Sequence, residues 1–162
     1  MRALAQSKLA VALGAAGLAL GGCAVTIPSD PDGTLDELRG GVVRAGASVN
    51  PPWTDAEAGA PSGLEVDLVE DFAETLDAQV EWTVAGEEDL VAEMERGELD
   101  VLVGGLTAAS PWADKVALTY PYLTTTGPEG EKELHVMAVP SGENALMTEL
   151  ERFLLDQEVQ QP

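Results

Sequence analysis

Hydrophobic positions along this chain fall into runs of different period, and each period predicts an element. Gly41 to Ala47 (GVVRAGA) and Val101 to Val103 are short apolar stretches bounded by glycines, the pattern of buried strands. Gln79 to Val84 alternates apolar and polar residues and predicts a third strand. Val66, Val69, Phe72, Ala73 and Leu76 recur at helical spacing, with Glu65, Glu70, Asp71 and Glu74 between them. Leu90, Val91 and Met94 predict a shorter helix, ended by Gly97. Leu146, Met147, Leu150, Phe153 and Leu154 predict a final amphipathic helix, preceded by a fourth strand over His135 to Val139.

The order strand, helix, strand, helix, strand implies parallel pairing through right-handed crossovers. The expected fold is therefore α/β, a three-layer α/β/α arrangement with a mostly parallel sheet. Between the elements, Asn50-Pro51-Pro52-Trp53 stops the first strand, because proline cannot donate to a ladder. Asp55 to Gly63 reads as loop. Ser110-Pro111 reads as a cap followed by proline at the first helical position, opening one brief turn.

The N-terminus has a different character. Arg2 and Lys8 precede an apolar run from Leu9 to Leu20, about twelve residues, which is short for a membrane span. The run ends in Leu20-Gly21-Gly22-Cys23, which resembles the lipobox of bacterial lipoproteins. That resemblance implies a signal peptide over 1–22 and lipidation of Cys23. Cys23 is the only cysteine, so it has no internal disulfide partner. Residues 23–37, rich in Pro, Asp, Ser and Gly around Pro28 to Gly33, read as a tether, and residues 38–158 as the folded domain. The expected location is the outer face of the cytoplasmic membrane.

Composition narrows the function classes. The 162 residues carry 29 acids against 8 Lys and Arg. Cleavage before Cys23 would remove Arg2 and Lys8 as well, so the exported part would be more acidic still. Such a surface repels phosphates, which excludes nucleic-acid binding. Nucleophilic catalysis by a Ser/His/Asp set needs a histidine, and His135 is the only one. At the start of a predicted core strand it reads as a satisfied structural histidine. Asp67 reads as part of an exposed helix start and Asp100 as a turn residue, both structural. No catalytic residue, metal site or cofactor is expected. In α/β sheets, ligands sit outside the carboxyl ends of the strands. Here those ends carry Ser48, Asn50 and Trp53 on one strand and Gly104, Gly105 and Thr107 on another. Glycines would expose backbone N–H groups to a ligand, Thr107 a hydroxyl and Trp53 a flat apolar face.

Four motifs then appear in order: Gly63-Leu64-Glu65-Val66-Asp67-Leu68, Gly97-Glu98-Leu99-Asp100-Val101, Gly104-Gly105-Leu106-Thr107 and Thr119-Tyr120-Pro121-Tyr122. Together with Ala138-Val139-Pro140-Ser141-Gly142 they resemble landmarks of the bacterial extracellular solute-binding proteins of family 3, the polar amino-acid receptors of ABC transporters. The resemblance covers Leu38 to Leu155 and implies one lobe of a periplasmic-binding-protein type II fold. Two departures stand out. The family places a whole second lobe between the Pro-Tyr motif and the closing strand, whereas here Thr124 to Glu133 alone bridges the gap as an expected loop. The family also carries an arginine shortly after the Gly-Leu-Thr motif, whose fork grips the substrate carboxylate. In this register Trp112 takes its place.

What the resemblance implies is a membrane-anchored solute-binding-like protein, associated with ABC-type transport or solute sensing, with a small polar solute as ligand. One lobe leaves the ligand open to water, so binding should be weak. The alternative is an interaction module without a ligand, docking on a transporter permease or another membrane protein, or on itself, through the face bearing Trp53 and Trp112.

Overall fold

The computed structural model describes residues 30–57 and 59–159; Cys23 and the apolar N-terminal run lie outside them. In chain order the elements are α1 (Thr34–Leu38), β1 (Val42–Ala47), β2 (Asp55–Glu57), β3 (Ala60–Ser62), α2 (Leu64–Thr75), β4 (Gln79–Val84) and α3 (Glu87–Glu95). There follow β5 (Val101–Val103), β6 (Ala117–Leu118), β7 (Leu123–Thr126), β8 (Lys132–His135), β9 (Ala138–Val139) and α4 (Asn144–Asp156).

The central sheet has five strands in the order β4-β1-β5-β9-β6. β1 pairs in parallel with both β4 and β5, as the intervening helices α2 and α3 require. Both faces of this sheet are covered, and the alternation of side chains along each strand divides them cleanly. Val43, Ala45, Val101, Val103 and Val139 pack against Phe72 of α2 and Leu146, Leu150 and Leu154 of α4. Leu102, Val136 and Ala138 point the other way, onto Leu90, Val91 and Met94 of α3. Phe72 and Phe153 bring α2 and α4 together, with ring centroids 5.6 Å apart. The result is the expected α/β/α lobe.

Asp100, at the entry to β5, is fully buried. Its carboxylate accepts the Arg44 backbone N–H at 2.8 Å and the guanidinium Nε at 3.0 Å, which ties β1 to β5.

Three local expectations are corrected. Asp55 to Gly63 is not plain loop, because β2 and β3 form a small antiparallel hairpin there. The bridge over Thr124 to Glu133 is also a hairpin: β7 and β8 pair from Leu123↔His135 to Thr126↔Lys132, around a turn at Gly127 to Glu131. Three consecutive threonines favour extended backbone, and the Gly-Pro-Glu-Gly that follows supplies the reversal. The run His135 to Val139 is split between β8 and β9, and β9 lies antiparallel to β5, with Leu102 opposite Ala138. No helix separates β5 from β9, so the chain returns without the crossover that a parallel strand needs. Ser110 behaves as read, its hydroxyl accepting the Trp112 N–H at 3.4 Å over a short turn.

Candidate functional site

The carboxyl ends of β1 and β5 meet at one edge of the sheet, where Ser48 N–H donates to the Val103 carbonyl at 2.9 Å. Beyond β1 the chain folds back on itself. Asn50 N–H donates to the Thr54 carbonyl at 2.9 Å and Trp53 N–H to the Asn50 carbonyl at 3.0 Å. The buried Thr54 hydroxyl donates to the Ser48 carbonyl from beneath. This tight return sets Asn50 and Trp53 over the end of β5. The Asn50 side-chain amide donates to the Gly104 carbonyl at 2.9 Å.

The glycine pair is required here. Gly105 has φ +67°, and a Cβ on it would lie 2.5 Å from the Asn50 amide nitrogen and 2.6 Å from the Trp53 ring. A Cβ on Gly104 would sit 2.8 Å from that of Ser48. Only glycine lets the two loops touch.

The N–H groups of Gly104 and Gly105 are not open to a ligand, contrary to the expectation from sequence. Both donate to one carboxylate oxygen of Glu65, each at 2.8 Å. The other oxygen accepts the Tyr122 hydroxyl at 2.6 Å. Glu65 is fully buried in the first turn of α2. Burial pushes its carboxyl above the usual range, while the phenol and the two N–H donors pull it back down. Burial and the neighbouring carboxylate push the Tyr122 phenol well above its ordinary value. Glu65 thus joins three segments: the helix it sits on, the end of β5 and the stretch of chain just before β7.

His135 completes the edge, and here too the structure corrects the sequence reading. It ends the hairpin strand β8 instead of starting a core strand, and it is only partly satisfied. Its ring lies against that of Trp53, centroids 3.8 Å apart and planes tilted by 30°. Nε2 meets the Thr125 hydroxyl at 2.8 Å, whereas Nδ1 is buried without a hydrogen-bond partner. Burial lowers the His135 pKa, opposed by the Glu133 carboxylate 3.8 Å from Nε2. Thr107 forms an antiparallel bridge with His135, so the Gly-Leu-Thr segment lies alongside β8.

The structure therefore brings Asn50, Trp53, Gly104, Gly105 and Thr107 together. Trp112 is engaged elsewhere: its indole N–H donates to Glu87 at 2.9 Å, its ring packs on the α3 cluster, and Lys115 Nζ lies 5.8 Å from the ring centroid. Glu65, Tyr122 and His135 belong to the site although sequence reasoning left them out. For Glu65 the signal was present. It lies four and seven residues before Val69 and Phe72, on the apolar face of α2, where a carboxylate needs a partner. Among the described residues, no group of three His, Cys, Asp or Glu side chains is placed to hold a metal ion. No helix among them is long and apolar enough to cross a membrane.

The family model of the bacterial extracellular solute-binding proteins, family 3, matches residues 43–159. Among solved structures, the arginine-bound form of domain 1 from TmArgBP superposes with a TM-score of 0.66 at 22% identity, covering 75% of this chain and 98% of that one. The ancestral cationic amino-acid solute-binding protein AncCDT-1 gives 0.64 at 14% identity, over 75% of this chain and 92% of that one. These two likenesses are of fold. A membrane-bound lytic murein transglycosylase F of Vibrio cholerae is 33% identical over 97 residues, 59% of this chain. The chain spans only 18% of that protein.

Proposed function

Because the chain belongs to the bacterial extracellular solute-binding proteins of family 3, we propose that it binds a small polar solute as a single lobe, weakly and without catalysis. We place it on the outer face of the cytoplasmic membrane, held by a lipid on Cys23 and serving ABC-type transport or solute sensing. The observation that carries this reading is the sheet edge where Asn50, Trp53, Gly104 and Gly105 converge beside a hairpin that closes the lobe. Ligands of open α/β sheets occupy this position. Domain 1 of TmArgBP, similar over nearly its whole length, is a single domain in an arginine-bound form, so one lobe suffices for a ligand in that protein.

Weak binding follows from the state of the edge. The glycine N–H groups are held by Glu65, the Asn50 amide by Gly104, and one face of Trp53 by His135. A solute must compete with these contacts and with water, since no second lobe buries it. Tryptophan fluorescence titrated with amino acids and other small solutes is expected to give a saturable change in the millimolar range for at least one cationic or polar amino acid, on the order of 4 kcal/mol of binding. The change should vanish in Trp53→Ala. No saturable response to any solute would refute the reading. For the anchor, Cys23→Ser should release the protein from membranes into the soluble fraction.

The same observations favour a second reading. An edge whose Asn50 amide and glycine N–H groups are engaged internally also suits a module that docks on a transporter instead of taking a solute. Crosslinking in native membranes separates the two, because a specific partner lost on Trp53→Ala supports docking.

A further inference from the structure

Beside the strand-end shelf, a ladder begins and is cut short. Val136 N–H donates to the Leu106 carbonyl at 3.0 Å and Ala108 N–H to the Leu134 carbonyl at 2.8 Å, flanking the Thr107–His135 bridge. One residue further the incoming chain turns away, as Ser110 N–H donates back to the Thr107 carbonyl at 2.8 Å. In a strand, the N–H and C=O of one residue point to the same side, and the side alternates along the chain. Leu134 turns its carbonyl toward Ala108, so its N–H and both backbone groups of Lys132 face this same vacated side. β7 occupies the opposite side of β8.

A groove of about 420 Å³ lies there. Ala108, Ala109 and Leu134 give it an apolar lining, and at its rim Glu131 and Glu133 outnumber Lys132. Leu134 is 38% exposed, large for a leucine in a strand. The groove thus combines an open strand edge, a small apolar floor and a rim of net negative charge.

We propose that this groove accepts an extended, basic peptide segment of a partner protein, which continues the interrupted ladder along β8. Main-chain hydrogen bonds to Lys132 and Leu134 would supply the pairing, and the rim carboxylates would favour lysine or arginine side chains. Two copies of this chain are poorly suited to pair edge to edge. Each carries 29 acids against 8 bases, and the rims would repel. Thr107 borders both this groove and the solute shelf, but the ligand is a different one and the proposal stands without solute binding.

The test uses the full chain in mild detergent and two blocked hexapeptides, one alternating lysine and valine, the other glutamate and valine. Hydrogen–deuterium exchange over 106–109 and 131–135 is the readout. Saturable protection by the lysine peptide alone, weakened by added salt, is the expected result. Leu134→Pro removes an outward N–H without touching the bonds to β7, and should weaken binding by about fivefold, the worth of one main-chain hydrogen bond. Should that variant fail to fold, Ala109→Arg on the exposed loop blocks the groove and adds a like charge, and should abolish protection. Equal protection by both peptides, no protection, or unchanged binding by Ala109→Arg overturns the proposal. Solute binding, read through Trp53 fluorescence, is independent of each outcome.

Discussion

At the scale of single residues, Glu65 and His135 set the properties of the sheet edge. Glu65→Ala would strand the N–H groups of Gly104 and Gly105 and the Tyr122 hydroxyl. Orphaned buried donors each cost about 1–3 kcal/mol, so a loss of ~3 kcal/mol or more is expected in urea unfolding. Glu65→Gln should lose clearly less, because its carbonyl can face the two N–H groups while its amide donates to the phenol oxygen. An equal loss for both variants would show that charge, not hydrogen bonding, is what the edge needs. His135 gives a pH dependence of known sign. Its folded pKa is lowered by burial, so between that value and about 6.5 the unfolded chain binds more protons. The stabilisation it gives is fully present above about 6.5 and is lost as the pH falls toward the folded value. Glu65, with its raised pKa, works in the opposite sense, losing its contribution as the pH rises through its folded value. Comparing wild type with His135→Phe isolates the histidine: the acid-side decline in melting temperature should shrink in the variant.

At the scale of elements, the two loops at the strand ends function as a pair. Gly105→Ala places a methyl group against Asn50 and Trp53 at a backbone angle that alanine resists. A destabilisation of about 1–3 kcal/mol is expected, with a shift in tryptophan emission as the Trp53–His135 stack opens. Normal emission and stability would mean that the loops tolerate separation. The elements legible in the sequence were those whose apolar period is long or bounded by glycine: β1, α2, β4, α3, β5 and α4. The two hairpins were missed because β2, β3, β7 and β8 are only three or four residues long. So short a run carries little periodicity. The direction of β9 was hidden for another reason, since it depends on the absence of a crossover helix far from the strand itself. In the site, Asn50, Trp53 and the glycine pair were legible as features of strand ends. Glu65 was read among Glu70, Asp71 and Glu74, which are indeed exposed. Its burial is decided by the distant Gly104-Gly105 and Tyr122, a tertiary fact that local charge pattern masks.

At the scale of the whole molecule, an acidic surface and a single lobe dominate. The formal net charge of −21 makes the compact state repel itself. Salt shortens the reach of that repulsion, to about 10 Å at 0.1 M. The melting temperature is therefore expected to rise as sodium chloride is added from low ionic strength, and a fall would show that local ion pairs such as Arg44–Asp100 outweigh the net charge. The hairpin bears on the history of the chain as well as on its shape. Thr126 and Lys132 stand opposite each other, with five residues between them. A folded insert whose own ends lie close together would fit between these two positions, at an entropic cost that grows only slowly with added length. Neither core layer would have to move. The lobe is in this sense modular, and a domain could be shed from or grafted into this turn in one genetic step, with the remainder folded before and after.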